Sequence, residues 1–155
     1  MNHLSRREVL QRSRWLAAVL GIGGLSARPA WAGGWAVSSA EAFAARSLAD
    51  VFQALGGAPE TGSGIDFSVP DVVENGAVVP VSIRSLWPDT DEMSIVVAMN
   101  PVPLAVRFAV LPGTEAAVST RIKLAQSSTV YGVVRAGGRL HVATRESKVA
   151  IGGCS

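Results

Sequence analysis

Hydrophobic positions along the chain change period once, near residue 60. Before it, Ala44, Leu48, Val51, Phe52 and Leu55 recur at helical spacing. Ser38 and Glu41 stand in the S-x-x-E relation of a capping box ahead of them. Gly56-Gly57, with Pro59 close behind, is a stop signal. The spacing predicts one amphipathic helix over about 38–56, with a stripe that must bury against the domain or a partner. From Ile65 onward the chain alternates in short runs separated by turn residues. Ile65–Val69 is a first strand, stopped by Pro70-Asp71, with Val72-Val73 as a continuation before the Asn75-Gly76 turn. In Ala77–Leu86, Val79, Val81 and Ile83 share one face, and Ser82 and Arg84 the other. Met93–Met99 is nearly all apolar and reads as a central strand. Leu104, Val106, Phe108 and Val110 share a face opposite Arg107. Val118–Leu124 alternates again. Thr129–Ala136 and Arg139–Thr144 flank Gly137-Gly138, a two-residue hairpin signal. Lys148–Ile151 is the last segment. About seven strands at this rhythm predict a mainly β fold, an immunoglobulin-like antiparallel sandwich over about 65–151 with one N-terminal amphipathic helix. The cysteine–tryptophan–cysteine hallmark of antibody domains is absent.

The first 32 residues follow a different logic. Arg6 and Arg7 form a twin-arginine pair in the setting S-R-R-x-V-L. A glycine-diluted apolar run follows, and then Ala30-Trp31-Ala32, a small-x-small cleavage site. This is the pattern of a twin-arginine signal peptide spanning 1–32, which implies export to the periplasm. The run is shorter than the roughly 20 apolar residues a membrane span needs. Cleavage after Ala32 would remove five of the fourteen basic residues and one of the twelve acidic ones, leaving nine against eleven, a net charge of −2. The whole-chain pI of about 9.2 therefore belongs largely to the leader. No basic cluster remains to argue for nucleic acid.

Candidate chemistry is sparse in residues 33–155. His141 is the only histidine there, set in a strand between Leu140 and Val142, where a solvated role is the ordinary one. Ser63 has no neighbouring base, and there is no G-x-S-x-G elbow or C-x-x-C pair. Asp89 and Asp91 flank a proline-containing turn, where acids are commonly only solvating. One cysteine and one histidine make no zinc site, and no cofactor is expected. Cys154 is the exception. It is the sole cysteine, it follows the last strand, and Gly152 and Gly153 precede it. A packing cysteine would sit inside an element. Two glycines make a thin, permissive arm over 152–155, reaching roughly 10 Å beyond Ile151. An unpaired cysteine in an oxidising compartment forms an intermolecular disulfide or is a reactive thiol. Either an intersubunit bridge or a thiol that carries a substrate into other enzymes accounts for it.

Three stretches favour the second: Glu74-Asn75-Gly76-Ala77-Val78-Val79-Pro80-Val81, Val118-Ser119-Thr120-Arg121-Ile122-Lys123, and Ile151-Gly152-Gly153-Cys154. With these, residues 33–155 resemble the SoxY family of sulfur-oxidation carriers. The resemblance implies an immunoglobulin-like sandwich paired with a smaller SoxZ-like subunit. It implies that Cys154 bears thiosulfate-derived sulfur, delivered to Sox enzymes that load, hydrolyse and oxidise it. The carrier itself would catalyse nothing. The family's Gly-Gly-Cys-Gly-Gly reads Gly-Gly-Cys-Ser here, with Ser155 in place of a glycine. That departure is expected to bring the terminal carboxylate one residue nearer the sulfur and to disfavour the thiolate.

The leader reading predicts two outcomes. The exported protein should begin at Gly33, checked by N-terminal peptide mass. Arg6→Lys with Arg7→Lys should leave the uncleaved precursor in the cytoplasm, checked by fractionation.

Overall fold

A computed structural model describes residues 39–150 of the chain. Its elements are α1 (Leu48–Leu55), β1 (Glu60–Thr61), β2 (Ile65–Ser68), β3 (Val72–Val73), β4 (Val79–Ser85), β5 (Thr90–Val97), β6 (Leu104–Ala109), β7 (Ala117–Ile122), β8 (Ser128–Ala136) and β9 (Arg139–Val149). Residues 39–44 are helical as well. The fold is mainly β, an immunoglobulin-like sandwich with its helix on the N-terminal side. One sheet runs β1-β9-β8-β5-β6, with β3 also on β9; the other runs β2-β4-β7.

The strand faces explain the sandwich. Val79, Val81 and Ile83 of β4 point inward, as alternation predicts, and are each at most 3% exposed. They meet Met93, Ile95 and Val97 of β5, Val130 and Val134 of β8, and Phe67 of β2. The Phe67 ring lies over Gly132, where an added Cβ would come within 2.6 Å of it. The β8–β9 turn uses Gly137 and Gly138 at φ 57° and 75°, the primed hairpin geometry that glycine supplies without strain.

The apolar run in β5 is buried on both faces because a second layer covers the far side. There Val51 and Leu55 of α1 pack on Val96, Leu104, Val133, Leu140 and Val142. Phe52 meets Tyr131 edge-on at 5.9 Å. The helix stripe thus buries against the sheet, each large side chain contributing about 1.5–3 kcal/mol.

Four local features depart from the sequence expectation. The helix over 38–56 is interrupted at 45–47, where Ser47 starts α1 afresh: its hydroxyl accepts the Asp50 amide at 3.1 Å and donates to the Asp50 carboxylate at 2.7 Å. Ser38, the expected cap, lies outside the described residues. The Val72-Val73 pair does not continue β2; it pairs in parallel with Lys148 and Val149 of β9. The Lys148 segment is the end of one 11-residue strand. Leu104 does not share the face of Val106, because the β5–β6 register shifts between Ile95 and Val96. That bulge turns Leu104 towards the helix and leaves Val106 against the sandwich core.

The same far face holds the one strongly buried charge cluster among the described residues. Glu92 accepts two hydrogen bonds from Arg107, each at 2.6 Å, with side chains 2% and 1% exposed. Arg135 reaches Glu92 at 2.9 Å and Asp91 at 2.8 Å. Arg107 also donates to the Ser39 hydroxyl at 3.0 Å, which ties the start of the described chain to the sheet. Burial works against the charge of Arg135, but the Asp91 hydrogen bond and the fields of Glu92 and Asp91 outweigh it and hold its pKa above the ordinary value. Replacing Glu92 by Gln would leave two guanidinium groups facing a neutral amide. It is expected to cost about 3–5 kcal/mol, read as a lowered midpoint in chemical denaturation.

Candidate functional site: the root of the C-terminal tail

Cys154, Gly152 and Gly153 lie outside the described residues, as do Arg6 and Arg7. What the structure describes is the place from which the tail departs. β9 carries the chain to Val149, and Ala150 follows. Successive amides there are bonded to opposite sides. Lys148 donates to the Asp71 carbonyl at 2.8 Å and Ala150 to the Val73 carbonyl at 2.8 Å. Between them Val149 donates to the Ser127 hydroxyl at 3.0 Å. The last three described residues before the tail are therefore held on both edges.

Three loops surround this root and are sewn to one another. Asn75 accepts the Ala77 amide on its side-chain oxygen at 2.9 Å, an Asx turn. The turn brings Gly76 so close that an added Cβ would lie 2.5 Å from the Leu124 carbonyl and 3.3 Å from the Val149 side chain. Leu124 donates back to Gly76 at 2.7 Å. Asn100 bridges the next gap, donating to the Lys123 carbonyl at 2.8 Å and accepting the Ala125 amide at 2.9 Å. Met99 donates to the Ser128 hydroxyl at 3.0 Å. Two of the stretches singled out in the sequence thus meet: β4 and β7 pair through Val79↔Ile122, Pro80↔Arg121 and Val81↔Thr120, and their loops abut the end of β9.

The other candidates are placed elsewhere. His141 is half-buried rather than solvated, its ring stacked on Trp87 at 4.3 Å. Trp87 in turn leaves no room for a side chain at Gly62 or Gly64, where an added Cβ would fall 2.8 Å and 2.6 Å from its ring. This cluster sits at the opposite end of β9. Nine residues of strand separate His141 from Ala150, about 30 Å. The four residues from Ala150 to Cys154 span at most about 14 Å, so His141 cannot serve that thiol as a base. Asp91 is engaged by Arg135. The outer face of the three-stranded sheet carries open concavities of about 500 and 310 Å³ that share Ser68, Ser82 and Ser119, and the larger is also lined by Asp66 and Arg84. Among the described residues, no group of three or more His, Cys, Asp or Glu is placed to hold a metal, and no helix is long and apolar enough to cross a membrane.

The model of the family described as "Sulfur oxidation protein SoxY" matches residues 51–154, the strands, the root and the cysteine together. The chain belongs to the SoxY family. The solved structure of the sulfur carrier protein SoxY from Chlorobium limicola f thiosulfatophilum matches with a TM-score of 0.60 and 33% identity, covering 76% of this chain and 98% of that one. Comparison with curated proteins returns no match. Membership assigns the chain to sulfur oxidation and the Sox system. Within the matched span, Gly76 makes a close approach to Leu124 and Val149 that only glycine permits.

Gly76→Ala should force the Gly76 turn away from Leu124 and Val149. The expected loss is about 1–3 kcal/mol, with faster hydrogen exchange at the Val149 and Ala150 amides, measured by mass spectrometry.

Proposed function

We propose that this chain is a periplasmic carrier that holds thiosulfate-derived sulfur covalently on Cys154 and presents it to partner enzymes. The observation that carries the reading is the reach of the family match: it runs to residue 154 and so includes the lone thiol. A 33% identical relative described as a sulfur carrier supports it.

In this reading the Cys154 thiolate and the outer sulfur of thiosulfate form an S–S bond. Two electrons pass to an electron-accepting partner protein, and the product is a cysteine S-thiosulfonate. Water then cleaves the bond between the outer sulfur and the sulfonate group. Sulfate and a proton leave, and a cysteine persulfide remains. Partners oxidise that sulfur further, and a second hydrolysis restores the thiol. The carrier contributes position rather than catalysis, with Gly152 and Gly153 as a side-chain-free approach to the sulfur. Tethering keeps a reactive intermediate at high effective concentration for each enzyme in turn. Export would follow the twin-arginine leader with Arg6 and Arg7, and a SoxZ-like subunit would complete a heteromer.

Intact-mass analysis tests the reading. Purified protein turned over with thiosulfate and extract of thiosulfate-oxidising cells should gain mass on the C-terminal peptide matching a thiosulfonate or extra sulfur. Cys154→Ser should gain none and should keep the wild-type melting temperature. A wild-type chain recovered only as a Cys154-linked dimer, with no adduct, would overturn it.

A further inference from the structure

Covalent geometry limits where an enzyme can meet Cys154. The residue is four positions beyond Ala150, so its α-carbon is never more than about 14 Å from that of Ala150. Ala150 is itself bonded to Val73, and Val149 to Ser127. An enzyme whose reactive centre lies in a channel, below its own surface, uses up part of that length inside itself. The mouth of its channel must then rest on the loops that surround the root.

Those loops carry an unusual share of exposed apolar surface. Among the described residues six large hydrophobic side chains are exposed, and three of them lie here: Val72 at 61%, Val78 at 52% and Met99 at 53%. Val72 belongs to β3, which clamps β9. Val78 follows the Gly76 turn and bonds back to Asn75. Met99 is fixed by its backbone to Ser128. The backbone under all three is tied into the hydrogen-bonded set around the root, so little ordering is left for a partner to impose. The side chains are small or, for Met99, unbranched and adaptable, which suits one surface that must fit several enzymes in turn. Leu86 and Leu111 are equally exposed but stand in the β4–β5 and β6–β7 connections, at the end of the sandwich away from the root.

We propose that Val72, Val78 and Met99 form a docking rim for the sulfur-transferring enzymes that act on Cys154, each of which would meet it with an apolar collar around its channel mouth. The rim rests on the carrier reading and adds to it the surface by which partners recognise the carrier.

The test uses extract of the producing cells deleted for this chain, supplied with thiosulfate and with purified full-length chain. The readout is the initial rate of adduct formation on the Cys154 peptide. Val78→Asp and Met99→Asp should each load at least ten-fold more slowly than wild type, and the milder Met99→Gln several-fold more slowly. Leu86→Asp and Leu111→Asp should load at the wild-type rate. Alkylation of Cys154 by iodoacetamide, which needs no docking, should proceed within two-fold of wild type in every variant, and melting curves should show each folded. Equal loading by wild type and the rim variants would overturn the rim and leave the carrier reading standing. So would a rim that only mediates self-association, seen as a dimer lost in Met99→Asp without a change in loading. Failure of wild-type chain to load at all would overturn both.

Discussion

Nine consecutive residue pairs join β8 to β9, from Ala136↔Arg139 to Ser128↔Ser147, and every other layer is laid against that ladder. β5 pairs to its β8 side, the short β1 and β3 pair to its β9 side, and α1 and the second sheet cover its two faces. The ladder begins at a two-glycine turn and ends where the tail leaves. A hairpin this long converts distance along the chain into distance in space. It puts the half-buried His141–Trp87 stack at one end of the sandwich and the tail root at the other. The separation of His141 from the root of the chain's last residues follows directly from it.

Much of this could be read along the chain, and what could not has a physical pattern. Val79, Val81 and Ile83 declare their face by alternation alone, and Gly137-Gly138 declares its turn. The S-x-x-D of Ser47 and Asp50 is a cap signal of the same standing as the one at Ser38, but a continuous apolar stripe across it masks the break. Other features depend on partners far away in sequence. Glu92 looks like a solvated strand end until Arg107 and Arg135 are folded around it. Val72-Val73 looks like an extension of β2 because its true partner lies about 75 residues later. Ala105 is an ordinary strand residue in sequence, and only the register of β5 makes it the site where Leu104 changes face.

The candidate site divides in the same way. The thiol and its two glycines are legible as residues, since a lone cysteine beyond the last strand has few uses. The surroundings of the root are not legible, because they are assembled from loops at 71–78, 98–100 and 123–128 that meet only when both sheets are in place. Gly76 is the instructive case. In sequence it is half of a turn signal. In the fold it is also the point where the second sheet touches the end of β9.

The outer edge of β9 has a further consequence. A long strand at a sheet margin offers its amides and carbonyls to any other strand, including the same strand of a neighbouring molecule. Here β1 occupies the edge at His141 and Val142, β3 occupies it at Lys148 and Val149, and between them stand the exposed Thr144, Arg145 and Glu146. Each part of the edge is either already paired or lined with polar and charged side chains. This edge therefore resists zipping to the same strand of a second molecule, and the strand that leads to Cys154 is protected from seeding fibres.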